Sequence, residues 1–186
     1  MKYKALVIGG SAGSFQGIVQ ILASLPPRLD IPVFLSLHRL KHVREGFDEA
    51  LGIKSTLPVT EPMDKDNIRG GKVYLAPANY HMYIELGNTI ALSTEEPVNH
   101  SRPSIDLTLT SAAYVYKDKM LAILLSGANR DGAEGMKAVA SLGGKTMVQD
   151  PKDCQVKTMT EAALKETKID YIYKLSEIVN YLKYLR

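Results

Sequence analysis

Short, almost uninterrupted apolar runs alternate along this chain with segments whose apolar residues recur at helical spacing. The runs at 4–8, 31–37 and 121–125 have the length of strands, whereas 14–25 and 131–142 show the three- and four-residue spacing of a helix. Strands that are apolar on every side occur in parallel sheets with both faces covered. The sequence therefore predicts an α/β fold, a doubly wound, mostly parallel sheet with helices on both faces.

The remaining segments complete this prediction. Gly87-Asn88 is a two-residue turn signal between 80–86 and 89–93, which predicts an antiparallel hairpin inserted in the middle of the chain. Pro103 is compatible with the first turn of a helix that runs to about Tyr116. Further strands are predicted at 57–59, 72–76, 145–148 and 171–173, and further helices at 43–51, 156–165 and 175–185. We find no repeat, low-complexity tract or linker, so residues 1–186 are predicted to form one domain.

Composition argues against several classes of protein. No apolar stretch approaches the ~18 residues of a membrane-spanning helix, and the run at 5–8 is too short for a secretory signal. A net charge of +3 with scattered lysines and arginines indicates no nucleic-acid partner. The single cysteine, Cys154, cannot form an internal disulfide, which favours a reducing, cytoplasmic location. No cysteine–histidine cluster predicts a metal site, and no cofactor is expected.

A glycine-rich turn follows the first predicted strand. Gly9-Gly10-Ser11-Ala12-Gly13 fits G-x-S-x-G, the strand-to-helix turn that presents a nucleophilic serine. Free backbone N–H groups at the start of the next helix can stabilise an oxyanion there. A simpler interpretation is a tight turn whose serine only caps the helix. A dinucleotide loop is disfavoured, because Ser11 and Ser14 stand where G-x-G-x-x-G needs glycine.

A serine nucleophile needs a base, and histidine is the usual one near neutral pH. His38 ends the second predicted strand, which in a parallel sheet usually lies beside the first, so His38 is the favoured partner of Ser11. His42 is the near rival. His100 is expected at the surface, and His81 falls in the hairpin region.

A carboxylate is needed to orient the imidazole and stabilise its charged form. Asp131 follows the most hydrophobic strand and precedes a helix, so it could equally be a helix N-cap or first-turn acid. Asp150 and Asp153 compete with it at the next strand end. Spacing alone does not choose among the three.

Taken together, these segments resemble the catalytic domain of the CheB family, the protein-glutamate methylesterases of bacterial chemotaxis. Each motif is weak alone, but their order and spacing along nearly the whole chain are specific. The motifs are Ile8-Gly9-Gly10-Ser11-Ala12-Gly13, Leu37-His38, Tyr74-Leu75-Ala76-Pro77 with His81-Met82, Arg102-Pro103-Ser104-Ile105-Asp106, Leu125-Ser126-Gly127 with Asp131-Gly132-Ala133-Glu134-Gly135-Met136, and Gln149-Asp150-Pro151 with Met159.

The resemblance implies a role for each matching residue. Ser11 would be the nucleophile, His38 the general base and Asp131 the residue that orients the histidine. The implied reaction is hydrolysis of glutamyl methyl esters on the cytoplasmic helices of chemoreceptors, and some members also deamidate receptor glutamines. A typical member also carries an N-terminal receiver domain, and this sequence begins at the first strand of the catalytic domain.

Backbone N–H groups at Ala12, Gly13 and Ala128 are the expected support for the oxyanion. Three of the departures from the family pattern lie near this support: Ala12 replaces a usual Thr, Ser14 a usual Gly and Ala128 a common Met. Thr160 also stands where Pro is common. Three alternatives to this function remain. They are a catalytically weak homologue that binds receptor helices, a small-molecule esterase or amidase with the same triad, and a nucleotide-binding module.

Overall fold

Seven parallel strands form the central sheet of the computed structural model, which describes residues 3–38 and 46–185. They are β1 (Ala5–Gly10), β2 (Val33–Leu37), β3 (Val59–Thr60), β4 (Val73–Leu75), β7 (Met120–Leu124), β8 (Lys145–Gln149) and β9 (Tyr171–Tyr173), with β5 (His81–Ile84) and β6 (Ile90–Ser93) between them in the chain. The sheet order is β3-β4-β2-β1-β7-β8-β9, and β5 and β6 pair separately as an antiparallel hairpin. The predicted parallel sheet and inserted hairpin are both confirmed.

Helices cover both faces of this sheet. They are α1 (Phe15–Ser24), α2 (Phe47–Gly52), α3 (Ile105–Tyr116), α4 (Ala133–Ser141), α5 (Thr158–Glu166) and α6 (Leu175–Lys183), with a 3₁₀ turn at Lys117–Lys119. Fully buried residues of α1, α2 and α6 form one apolar core. Those of α3, α4 and α5 form a second core, which also contains residues of the hairpin. Both faces of the sheet are therefore withdrawn from water, as its continuous apolar strands require.

Several element boundaries differ from the sequence prediction for identifiable reasons. Strand β1 continues to Gly10, because the last two glycines still pair with β2. Pro103 precedes α3 instead of lying in its first turn, since Ser104 is the N-cap and its hydroxyl accepts the N–H of Leu107 at 3.4 Å. Helix α4 starts two residues later than predicted, because Gly132 has a left-handed backbone with φ 96°. The first residues of the helix predicted at 43–51 lie outside the described residues.

Within the described ranges, the longest helix is α3 with 12 residues, and none has the length and apolar character needed to cross a membrane.

Candidate active site

The carboxyl ends of β1 and β2 bring Ser11 and His38 together. Gly10 is paired with Leu37 in the parallel register, and the N–H of His38 donates to the carbonyl of Gly10 at 3.3 Å. Ser11 and His38 thus directly follow Gly10 and Leu37, the last paired residues of two adjacent strands. Adjacent strands lie about 4.8 Å apart, so the sheet itself sets the two backbones side by side, as the sequence predicted.

The turn after β1 holds Ser11 tightly through its backbone and leaves its side chain unengaged. The N–H of Ser11 donates to the carbonyl of Ser126 at 2.9 Å, and the Ser14 hydroxyl donates to the carbonyl of Ser11 at 2.7 Å. Gly13 has φ 79°, a conformation that favours glycine. The Ser11 hydroxyl makes no hydrogen bond to any described residue, and Ser14 occupies the N-cap position of α1. The serine at the cap of α1 is therefore Ser14 and not Ser11, and its side chain makes no capping hydrogen bond.

His38 and Asp131 form the shortest hydrogen bond of the site. The imidazole Nε2 lies 2.6 Å from Oδ2 of Asp131, and the side chains are 12% and 0% exposed. The other ring nitrogen, Nδ1, lies 3.2 Å from the hydroxyl of Ser101. An ionised Asp131 can only accept, so Nε2 carries the proton and Nδ1 presents its lone pair. This is the tautomer in which Nδ1 can take a proton from a nucleophile.

The start of α3, a helix that precedes Asp131 in the chain, donates hydrogen bonds that help to keep the Asp131 carboxylate ionised. Its Oδ2 accepts the N–H of Ile105 at 2.7 Å, and its Oδ1 accepts the Ser104 hydroxyl at 2.9 Å and the N–H of Asp106 at 3.0 Å. Burial alone would raise the pKa of Asp131, but the hydrogen bonds from His38 and from the two N–H groups outweigh it and lower that pKa. The carboxylate is therefore held ionised against the imidazole.

Asp106 makes the reverse connection, from α3 to the start of α4. Its Oδ1 accepts the N–H groups of Gly132 at 2.8 Å and Gly135 at 2.7 Å. Asp131 thus caps α3 while Asp106, within α3, caps α4; we call this pair the crossed caps. Burial raises the pKa of Asp106 to about 6, opposed by the Gly135 N–H and reinforced by the charge of Asp131.

The structural role of Asp106 was not predicted from the sequence, although this residue lies in one of the motifs quoted above. The sequence left open whether Asp131 orients the histidine or caps its own helix, and the structure places its carboxylate at the start of a different helix. An acidic residue in the second position of a helix is a common first-turn acid, and nothing in its spacing points to a second helix. The contact between α3 and α4 exists only in the folded chain.

The loops after β1 and β7 contain the backbone N–H groups predicted to support the oxyanion. Ala12 and Ala128 are exposed, and neither their N–H groups nor that of Gly13 donate a hydrogen bond to any described residue. The Ser126 hydroxyl donates to the carbonyl of Ala12 at 2.7 Å, which joins the loop after β7 to the turn after β1. The N–H groups that the sequence predicts to support the oxyanion therefore lie on two joined loops and donate to no described residue.

The competing candidates have other contacts or lie outside the described residues. His42 is not among the described residues. His81 is fully buried, and its Nδ1 accepts the N–H of Ser104 at 3.1 Å, a structural role. His100 is exposed. Asp153 accepts the N–H of Leu175 at 2.8 Å.

Asp150 accepts the N–H of Lys152 at 2.9 Å, a local turn contact. Of the three carboxylates that the sequence left open, Asp131 is the one that binds His38 within the described ranges. The same part of the chain contains no group of three or more His, Cys, Asp or Glu side chains arranged to hold a metal ion.

Comparison with known proteins gives a consistent result. Residues 6–182 match the family model described as CheB methylesterase. A putative protein-glutamate methylesterase/protein-glutamine glutaminase of Leptospira interrogans is 38% identical over 178 residues, which are 96% of this chain and 92% of that protein. The crystal structure of the Thermotoga maritima CheB methylesterase catalytic domain superimposes with a TM-score of 0.92 and 29% identity, covering 98% of both chains.

Other relatives are longer than this chain. The protein-glutamate methylesterase/protein-glutamine glutaminase of Thermotoga maritima is 31% identical over 184 residues, which are 94% of this chain and 52% of that protein. The chain therefore spans about half the length of such relatives and nearly the whole length of the one from Leptospira.

Proposed function

Because the chain belongs to the CheB methylesterase family, we propose that it is a serine hydrolase that removes methyl groups from glutamyl methyl esters of chemoreceptors. The observation that carries this proposal is the 2.6 Å hydrogen bond between His38 and a fully buried Asp131, one strand away from Ser11. An imidazole whose Nε2–H is held by a carboxylate has its other nitrogen ready to accept a proton.

In the proposed reaction, Ser11 Oγ attacks the ester carbonyl while Nδ1 of His38 takes its proton. The developing oxyanion is stabilised by backbone N–H groups among those of Ala12, Gly13 and Ala128, which donate to no other described residue. The imidazolium, stabilised by Asp131, then protonates the departing methoxide and methanol leaves. Water activated by His38 hydrolyses the acyl-enzyme and regenerates Ser11.

The same residues can act on a primary amide, which differs from a methyl ester only in its leaving group. Protonation by His38 would release ammonia in place of methanol, so deamidation of receptor glutamines is a second activity of the proposed site. The proposed partners are the cytoplasmic helices of chemoreceptors, which carry both kinds of side chain, and the proposed location is the cytoplasm. This chemistry requires no cofactor.

The proposal is tested by methanol release from methylated receptor by the Ser11→Ala variant. We expect turnover to fall by roughly 10⁶, the loss seen when a triad nucleophile is removed. Ser141→Ala is the matched control, because Ser141 is exposed at the end of α4 and its hydroxyl donates, among the described residues, only to the carbonyl of Ala138. Near wild-type turnover by the Ser11 variant would overturn the assignment of the nucleophile.

A further inference from the structure

A tight turn at residues 98–101, called here the 98–101 turn, reaches into the site. Val98 and Ser101 exchange two backbone hydrogen bonds of 3.1 and 2.9 Å. The two residues between them, Asn99 and His100, have φ 50° and 63°. Left-handed backbone at both central positions is characteristic of a two-residue hairpin turn, which fixes the direction of the flanking side chains.

Asn99 fastens this turn to the two carboxylates of the crossed caps. Its side-chain amide lies 3.0 Å from Oδ2 of Asp106 and 3.4 Å from Oδ1 of Asp131. The side-chain amide of Asn129 donates to the carbonyl of Asn99 at 3.1 Å. The 98–101 turn is therefore tied to the groups that orient His38.

The consequence is a defined position for the Ser101 hydroxyl. It lies 3.2 Å from Nδ1 of His38, and the Asn129 side-chain amide donates to it at 3.4 Å. Because Nδ1 carries no proton in the tautomer that Asp131 imposes, Ser101 must donate to it. The hydrogen bonds run in one direction, from Asn129 through Ser101 to His38 and on to Asp131.

This contact occupies the nitrogen that the proposed reaction needs. A neutral imidazole nitrogen has a single lone pair in the ring plane, so it accepts one good hydrogen bond at a time. We propose that Ser101 is a positioning residue that holds His38 in a resting arrangement and competes with Ser11 for Nδ1. The inference rests on the proposed function, since Ser11 gains from Nδ1 only if it is the nucleophile. Substrate binding must then shift Nδ1 from one serine to the other.

The first test measures how fast Ser11 reacts with a fluorophosphonate probe. Removing the competing donor in Ser101→Ala should raise the second-order rate constant about three- to tenfold, which is what one neutral hydrogen bond is worth. Ser101→Thr keeps the hydroxyl and should restore the lower rate, and Ser141→Ala controls for loss of a remote serine hydroxyl. An unchanged or lower rate in Ser101→Ala overturns the competition.

A second readout examines the contact itself, without catalysis. In the Ser11→Ala background, ¹⁵N NMR of the imidazole should show that the Nδ1 resonance of His38 moves downfield when Ser101 is changed to Ala, because its lone pair loses a donor. A static Nδ1 resonance overturns the proposal. If the wild-type protein is not labelled at Ser11, the hydrolase function fails, and the NMR result still decides whether Ser101 holds His38.

Discussion

The two halves of the site are built in opposite ways. Around Asp131, the side chain is fully buried and its two oxygens accept hydrogen bonds from His38 and from the start of α3. Around Ser11, Ala12 and Ala128 are exposed, and the Ser11 hydroxyl has no partner among the described residues. In the proposed reaction, the half that orients the base would be complete before substrate arrives, whereas the half that meets the substrate would keep its donors free. Apart from the proposed nucleophile Ser11, we therefore expect substitutions to be costly in the first half and mild in the second.

After loss of the proposed nucleophile, the largest effect is expected at the buried carboxylate. Asp131→Asn keeps the shape of the side chain but replaces one accepting oxygen with an NH₂ group, which cannot accept the hydrogen bonds that reach it from His38 and the start of α3. The variant therefore no longer fixes the tautomer of His38. We expect kcat for methanol release to fall roughly 10⁴-fold, as for the equivalent change in a triad. Asp153→Asn is the matched control, because Asp153 also accepts a backbone N–H but lies at another loop. A loss below tenfold in Asp131→Asn would show that the buried half is not needed to orient the base.

An intermediate effect, on stability, is expected at Asp106. Its pKa is raised to about 6 mainly by burial, so the folded chain binds its proton more tightly than the unfolded chain, whose ordinary value is 3.8. Protonation of Asp106 therefore stabilises the fold in full below pH 3.8, the pKa of the unfolded chain. This stabilisation is lost as pH rises through about 6, the pKa in the folded chain. Asp131 contributes oppositely, since its lowered pKa adds stability that is lost as pH falls.

Asp106→Asn isolates the first of these contributions, because an amide does not titrate. We expect the unfolding free energy of wild type minus that of the variant to decrease as pH rises from about 4.5 to about 7.5. Denaturant titration at each pH measures both free energies. A difference that grows over this interval would mean that Asp106 is stabilised as the anion in the folded chain, against the burial described here.

The smallest effect is expected on the open half. Ala12 is exposed, and the resemblance described for the sequence implies a Thr at this position. Ala12→Thr should leave kcat/KM within about threefold of wild type, because exposed substitutions typically change free energies by about 0.5 kcal/mol or less. Steady-state kinetics on methylated receptor measures this. A change beyond tenfold would mean that this half is as closely fitted as the buried one.

The contrast also explains what could be predicted from the sequence. Strand order brings Ser11 and His38 together, and strands were visible as apolar runs, so that part of the site followed from the parallel sheet. The role of Asp131 depends on α3, which begins 26 residues earlier in the chain, and no local pattern encodes such a contact. Ser101 was missed because its contact with His38 joins residues 63 positions apart, and no local pattern shows that the turn at Asn99 and His100 places its hydroxyl there.

The crossed caps also affect when the chain becomes reactive during folding. Asp131 is held by the beginning of α3, and α4 is held by a carboxylate from within α3, so neither helix start is satisfied until both have docked. Asp131 can therefore be held between α3 and His38 only in a chain in which α3 and α4 have packed together. If the proposed function holds, we expect the chain to become reactive only when the α3–α4 junction is complete.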